Sequence, residues 1–303
     1  MASSVTIRIL PRADRAAVER ALAHALTVFD DVEASCTRFV PTSPLMRANA
    51  APDCWHKVPL PCFHALAEAY RAYLLTQGRF DPRVLGDLTR LGYDRSLPFG
   101  SGPVRTRVGA PLRRKPLPTW LPRFRRAQHT VLLGGRGVDL GGIGKGLAVR
   151  WASELLRRVG TDHLVEAGGD CYCAGRSPEG DPWRVGVEDP FGGNAPVAVL
   201  ELSDRACATS SIRLRHWEVA GAQVHHLVDP RTGLPGGSGL RAVTVIDRDP
   251  AVAEVWSKTL FLEGLEAVGS FSNRRGLAAL WIADDGTLGA SRAMSRYVAW
   301  QRA

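Results

Sequence analysis

Residues 138–156 read VDLGGIGKGLAVRWASELL, a strand end passing through a glycine-rich turn with one lysine into an amphipathic helix. Such a segment suits the holding of a phosphorylated ligand. Glycines admit an anion close to the backbone, the N–H groups of a helix start point toward it, and the Lys145 ammonium adds a point charge. The two commonest nucleotide loops do not fit. A P-loop needs glycine in place of Asp139 and Ser or Thr in place of Gly146, and G-x-G-x-x-G finds no register. On residues alone the segment reads either as a phosphate seat or as a tight strand-to-helix turn.

Three further clusters carry chemistry-bearing residues. Glu166-Ala167-Gly168-Gly169-Asp170 joins two short strands, and its glycine pair suits either a backbone pressed against a ligand or a plain hairpin turn. In His225-His226-Leu227-Val228-Asp229-Pro230-Arg231-Thr232-Gly233, strand alternation places His226 and Val228 on one face and His225 and Leu227 on the other. That disfavours paired metal ligation. His, Asp, Arg and Thr so close together favour a catalytic reading. Phe80-Asp81-Pro82 follows Gly78 and reads as a turn.

The elements that must position these residues are mixed in order. Strand Val5–Leu10 leads to a helix around Ala13–Ser35, with Val18, Leu22, Ala25, Leu26, Phe29 and Val32 at helical spacing. A second helix near Phe63–Thr76 stops at Gly78. Strand Thr130–Leu133 precedes the glycine turn, and in the helix beyond it Leu147, Trp151 and Leu155 form a stripe flanked by Ala148, Ala152 and Leu156, ending at Gly160. The second half reads as strands His163–Ala167, Cys171–Ala174, Trp183–Val187 and Val197–Leu202, a hairpin over His216–Val228 turning at Ala220–Gly221, and strand Leu240–Asp247. A helix over Pro250–Glu263 and a hairpin over Leu277–Ala290 complete it. This irregular alternation predicts an α+β fold with mixed or antiparallel sheets rather than a doubly wound sheet.

Composition bounds the rest. With 303 residues and 45% hydrophobic content the chain can bury a large core, as one elaborate domain or two interleaved subdomains. No stretch approaches the roughly 18 apolar residues of a membrane span, and the N-terminus lacks an apolar signal core, so a cytoplasmic protein without membrane insertion is expected. Six scattered cysteines without a C-x-x-C pair read as reduced thiols. The net charge of +9 is concentrated. Eight basic and no acidic residues lie between Arg105 and Arg126, threaded with four prolines and preceded by Pro103, which predicts a long irregular connection over about 101–126. Only Trp120 and Phe124 offer aromatic surface there, so a solvated loop near an anionic site is favoured over a nucleic-acid surface.

Taken together, these segments resemble the ApbE family of FAD:protein FMN transferases nearly end to end. Thr37-Arg38-Phe39 with Ser43 and Asn49 is similar to the family's Ser-Arg-Phe/Tyr and Ser-x-x-x-x-x-Asn pattern, and Phe80-Asp81-Pro82 to its Phe-Asp-Pro turn. Asp139–Gly146 resembles DLGGIAKG, with Gly144 at the alanine position. Gly168-Gly169-Asp170, Trp183 and Asp189-Pro190 resemble the Gly-Gly-Asp turn and the tryptophan strand after it. Ala208-Thr209-Ser210 and the string His225–Pro235 resemble Ala-Thr-Ser and HHIIDPRTGxP.

The resemblance implies a single ApbE-like domain over 1–303 that splits FAD and attaches FMN to a threonine of an acceptor flavoprotein, releasing AMP. It implies His226 as the base taking the threonine proton, with Asp229 orienting it or helping to hold a cation, and Lys145 with the N–H groups of Gly141–Gly146 stabilising pyrophosphate charge. FAD contacts are implied at Met1, Phe39, Phe80, Asp81, Gly141, Gly142, Lys145, Leu147, Arg150, Gly168, Gly169, Asp170, Arg231 and Thr232. The alternative is an FAD-binding protein with little or no transferase activity.

The departures from the family pattern bear on Mg²⁺. The family holds it through a carbonyl of the glycine turn, here Gly144, and through Asp and Thr of an Ala-Asp-Ala-x-Ala-Thr helix. That helix here reads Ala253-Glu254-Val255-Trp256-Ser257-Lys258. Glu254 keeps a carboxylate, whereas an ammonium at Lys258 cannot ligate a cation. Glu254 and Lys258 form either an exposed i,i+4 pair contributing about 0.2–0.5 kcal/mol, or a site where the ammonium does the work of Mg²⁺. Arg150 replaces an aspartate and Ser211 a glycine, changes expected on the adenosine side of the pocket.

Overall fold

The structure, a computed structural model, describes residues 4–95, 117–219 and 221–302. In chain order it has strand β1 (Val5–Leu10), helices α1 (Arg15–Cys36) and α2 (Pro44–Ala50), β2 (His56–Lys57), α3 (Leu60–Leu75) and α4 (Leu85–Arg90). Then come β3 (Arg123–Arg125), β4 (Thr130–Leu132), α5 (Gly144–Leu156), β5 (Asp162–Ala167), β6 (Asp170–Ala174), β7 (Trp183–Val187), β8 (Ala198–Leu202) and β9 (Arg205–Ser211). The last part holds β10 (His216–Val219), β11 (Ala222–His225), β12 (Val228–Asp229), β13 (Leu234–Pro235), β14 (Leu240–Asp247), α6 (Pro250–Glu263), α7 (Leu265–Arg275), β15 (Ala278–Ala283), β16 (Leu288–Ala290) and β17 (Val298–Gln301).

The chain interleaves two compact units. One contains Asp31–Gly144 and Leu214–Gly236, the other Ser3–Asp30, Lys145–Arg213 and Gly237–Ala303. The second unit is built on a seven-stranded sheet in the order β1-β5-β6-β9-β14-β15-β16. A three-stranded sheet, β17-β8-β7, packs on one face of it, burying Cys171, Cys173, Trp183, Leu200, Leu202, Cys207, Leu280 and Met294 between them. Helix α6 packs on β9 and β14, with α7 beside it. In the first unit β2-β4-β3 form a small sheet, and the pairs β10-β11 and β12-β13 are separate. Every strand pairing among the described residues is antiparallel, an α+β architecture as the sequence predicts.

Four elements correct the sequence reading. The hairpin predicted over His216–Val228 ends at His225, and the chain bends at His226 before β12. The alternation that assigned His225 and His226 to opposite strand faces therefore does not run through them. In the basic connection the residues up to Pro116 lie outside the described residues, but its end is ordered. Trp120 is fully buried, donating from Nε1 to the Leu133 carbonyl at 2.7 Å, and Arg123–Arg125 pair with β4 once Pro122 is passed. In α1 the stripe holds at Ala25, Phe29 and Val32, whereas Leu26 is 47% exposed. Strand β9 (RACATSS) is missing from the prediction because it lacks large apolar residues. As a central strand lying against α6, it needs small ones.

Close helix approach is set by Gly146. A Cβ there would lie within 2.7 Å of Ala251 Cα and against the Pro250 carbonyl, both main chain of the α6 start. At Gly144 the nearest atom to a Cβ is Val32 Cγ1, at 4.0 Å. Gly146→Ala should therefore lower the urea unfolding free energy by about 1–3 kcal/mol. Gly144→Ala should be neutral or stabilise by up to about 1 kcal/mol. Equal midpoints for the two variants would refute this account of the helix contact.

Candidate active site

In the first unit four of the sequence motifs meet. Asn49 bonds the main chain of Val138 in both directions, Nδ2 donating to its carbonyl at 2.9 Å and Oδ1 accepting its N–H at 2.8 Å. Ser43 caps α2 through the Met46 N–H and donates to the Thr37 carbonyl at 2.6 Å. The Asp139 N–H donates to Pro82 O at 2.7 Å, which fastens the glycine turn to the Phe-Asp-Pro turn. The Asp139 carboxylate takes the Gly141 N–H on Oδ1 and Arg38 Nε on Oδ2, each at 2.8 Å. The Arg38 guanidinium is stacked between Phe39 and Tyr93, 4.2 Å from each ring centre, and donates to the Tyr93 carbonyl. Tyr93 packs on Trp217, whose Nε1 donates to Leu91 O at 2.8 Å, so the same apolar cluster seats the histidine hairpin. Arg90 donates to Gly233 O at 2.6 Å.

At the end of that hairpin the contacts of the two histidines favour opposite tautomers. His225 Nδ1 accepts the Leu227 N–H at 3.3 Å and therefore carries no proton. His226 Nδ1 lies 3.3 Å from the Arg215 carbonyl, which can only accept, so in this bond Nδ1 carries the proton and Nε2 the lone pair. Burial pushes the His225 pKa down to about 4, opposed by a hydrogen bond to the Gly236 backbone. The Asp229 carboxylate, buried, accepts the Arg231 main-chain N–H at 2.8 Å and Arg231 Nε at 3.0 Å. Its carbonyl accepts the N–H groups of Thr232 and Gly233, closing the turn.

The second unit holds a buried charge cluster. Lys145 ion-pairs with Asp170 and lies 3.6 Å from Glu254 Oε1, the three side chains being 16%, 2% and 4% exposed. Glu254 Oε2 accepts the Gly146 N–H at 2.8 Å. Asp170 Oδ1 accepts the Thr209 N–H at 3.0 Å, and Ser210 and Ser257 share a hydroxyl hydrogen bond at 2.9 Å, which is the use of the Ala-Thr-Ser segment. Arg150 pairs with Asp249, the residue that caps α6 through the Ala251 and Val252 N–H groups.

Several site expectations change against this geometry. The N–H groups of Gly141, Ile143, Gly144 and Gly146 donate to Asp139, Leu140, Leu140 and Glu254, so those four amides form no open anion cradle. Gly168 and Gly169, with φ of 59° and 90°, make the two-residue turn of the β5-β6 hairpin, in which Ala167 pairs with Asp170. They are exposed, and a Cβ on Gly169 would meet nothing within 4 Å, so conformation and not close approach explains that glycine. Phe80 and Leu147 are buried, which packs the Phe80 ring inside the protein. Asp81 is clasped by Arg83 at 2.7 Å. Glu254 and Lys258 are not an exposed pair, since Glu254 is 3% exposed. Met1 lies outside the described residues. Sequence reasoning missed Arg38, Tyr93, Trp217 and Asp249. Arg38 lies within a motif, but its partners Tyr93 and Asp139 lie 55 and 101 residues along the chain.

The residues around Glu254 do not fit Mg²⁺. Such a cation takes near-octahedral oxygen ligands. Here the Glu254 oxygens face an N–H donor and an ammonium, residue 258 is a lysine, and no group of three or more His, Cys, Asp or Glu that could hold a metal ion occurs among the described residues.

The α+β fold thus carries a half-buried histidine beside an Asp-Pro-Arg turn in one unit and a buried lysine–carboxylate cluster in the other. The ApbE family profile matches residues 1–281, and the chain belongs to the ApbE family. It is 33% identical over 151 residues to the FAD:protein FMN transferase of Escherichia coli K12, covering 49% of this chain and 43% of that protein. To the FAD:protein FMN transferase of Vibrio cholerae it is 31% identical over 153 residues, 49% and 46% of the two chains. The matched part thus spans less than half the length of these curated relatives. Solved structures share the fold: the ApbE protein of Thermotoga maritima (TM-score 0.82, 24% identity, 99% of both chains) and the flavin transferase ApbE of Vibrio cholerae (TM-score 0.76, 22% identity, 98% of this chain and 96% of that one).

The His225 shift makes a stability prediction. Its folded pKa lies below the ordinary 6.5, so on acidification the unfolded chain takes up the proton first. Its contribution is whole above about pH 6.5 and is lost as pH falls toward about 4. Urea unfolding at pH 7.5 and 4.5 should show a fall in stability that His225→Gln reduces by on the order of 2–3 kcal/mol. The same fall in both proteins would rule out His225 as its source.

Proposed function

We propose that residues 1–303 form one transferase domain that moves FMN from FAD to a threonine hydroxyl of an acceptor flavoprotein. The observation that carries this reading is the pair of Nδ1 contacts, which favour opposite tautomers. A base must carry a lone pair, and with Nδ1 donating to the Arg215 carbonyl that lone pair falls on His226 Nε2. His225 is the weaker candidate, because burial depresses its basicity and Nδ1 already accepts a bond. In the step, the threonine oxygen attacks the phosphorus on the FMN side of the pyrophosphate and its proton passes to His226 Nε2. The bond from that phosphorus to the bridging oxygen breaks, and AMP leaves with the bridging oxygen.

Lys145 is a positioning residue in this proposal, its ammonium holding Asp170 and Glu254 in place. For contacts with FAD we retain Phe39, Asp81, Gly141, Gly142, Arg150, Gly168, Gly169, Asp170, Arg231 and Thr232, with Phe80 and Leu147 contributing through main chain. No step is drawn through Mg²⁺. The reading of the chain as a flavin-binding protein without transfer is not favoured. Arg150, one residue that suggested it, has its own partner in Asp249. Among the described residues no helix is long and apolar enough to cross a membrane.

Incubating the protein with FAD and a threonine-bearing acceptor peptide should give the peptide a mass increase equal to FMN with loss of water. His226→Ala should lower the rate by about 10²–10⁴-fold while leaving FAD binding in place. Full transfer by that variant would remove His226 as the base, and FAD binding without transfer by the unaltered protein would return the binding-only reading.

A further inference from the structure

The ordered end of the basic connection lies in the small sheet β2-β4-β3 of the first unit. Register sorts its side chains. Lys57 and Arg125 both lie opposite Thr130, and Arg123 lies opposite Leu132, so the three cations share one face of the sheet, and all three are exposed. On the other face Val131 is fully buried and Phe124 meets Phe63 edge-on, ring centres 5.7 Å apart. Half-buried Trp55, two residues before Lys57, completes the outer face. The Arg125 guanidinium lies 4.0 Å from its ring centre and that of Arg123 5.9 Å.

The charge on this face is not answered within the chain. Among the described residues no carboxylate pairs with Lys57, Arg123 or Arg125, Asp53 beside Trp55 included, and neither guanidinium donates to a protein acceptor. Residues 96–116 add five Arg or Lys and no Asp or Glu. Exposed arginines elsewhere do find acids, as in Arg184–Glu201 and Arg241–Asp284. Stacking on an indole uses the flat side of a guanidinium and leaves its N–H edge open. It also removes rotamer freedom from a long side chain before a partner arrives. Two such forks beside a tryptophan suit carboxylates, which they can meet with two parallel hydrogen bonds, and Trp and Arg are the residues on which protein interfaces concentrate their binding energy. Single-stranded nucleic acid fits less well, because bases stack on a bare ring and the ring of Trp55 is taken by arginine.

We propose that the outer face of β2-β4-β3 is a docking surface for an acidic segment of another protein, its carboxylates pairing with Arg123, Arg125 and Lys57. This inference does not depend on the flavin-transfer reading.

The test uses the full chain and a fluorescent peptide of glutamates alternating with serines, with binding read by anisotropy at physiological salt. The peptide should bind, and Arg123→Glu combined with Arg125→Glu should weaken it by on the order of tenfold or more. Arg123→Lys with Arg125→Lys, which keeps the charge without the fork, should recover only part of that loss. Arg274→Glu with Arg275→Glu makes the same change in net charge on two exposed arginines that also lie over rings, at the end of α7, and should leave affinity within about twofold. No binding by the unaltered chain, equal losses in the two glutamate variants, or full binding by the lysine variant would each overturn the proposal. Tighter binding of oligothymidylate or of phosphatidylglycerol vesicles through the same two arginines would also overturn it, assigning the face to nucleic acid or to lipid.

Discussion

The second unit depends on the Lys145 ammonium being held by Asp170 and Glu254, side chains all at least four-fifths buried. Removing one partner from such a cluster strands a buried charge, at a cost of about 3–5 kcal/mol. The cluster exists only because α5 and α6 come close, and Gly146 permits this by having no Cβ against Pro250 and Ala251. Glu254 then reaches back to the Gly146 N–H, at 2.8 Å, and satisfies a donor that the contact would otherwise bury unpaired. Four residues further along α5, Arg150 takes the Asp249 carboxylate that caps α6. The glutamate and the arginine, which stand out in the sequence as departures, are thus both ties between one pair of helices.

The same logic recasts the glycine turn. A phosphate seat needs outward N–H groups, yet the Asp139 carboxylate takes that of Gly141 and the Leu140 carbonyl takes those of Ile143 and Gly144. Asp139 is itself fixed by Arg38 and by the Pro82 carbonyl. The motif residues here act mainly on one another.

Legibility followed the range of the interactions. Strands β1, β7 and β14 and helix α6 have the bounds that the sequence predicts, because alternation, and the Asp249-Pro250 start, are local signals. Strand β9 was illegible because its small residues answer to α6, an element some forty residues later. Helix α7 carries seven polar or glycine residues among its eleven, so its apolar face, Val268 and Phe271, was too sparse to read. In the site, spacing revealed which segments matter but not which atoms are engaged. Arg38 shows why: its pairing with Asp139 and stacking on Tyr93 join positions 101 and 55 residues away. No periodicity encodes that.

The histidine pair shows how a bend does what alternation was expected to do. Had β11 continued through His226, the two rings would differ by facing opposite sides of a strand. Instead the strand stops at His225, and the main chain assigns each ring its role: an N–H is offered to one Nδ1 and a carbonyl to the other. Burial is the main reason His225 stays neutral well below neutral pH, and the N–H donor against Nδ1 leaves no room for a proton at that nitrogen. A carbonyl against Nδ1 instead favours the proton at that nitrogen and raises the electron density available at Nε2. Adjacent identical residues are thus differentiated by the backbone groups they meet and by burial. The Asp229 carboxylate, two residues beyond Leu227, engages the Arg231 fork.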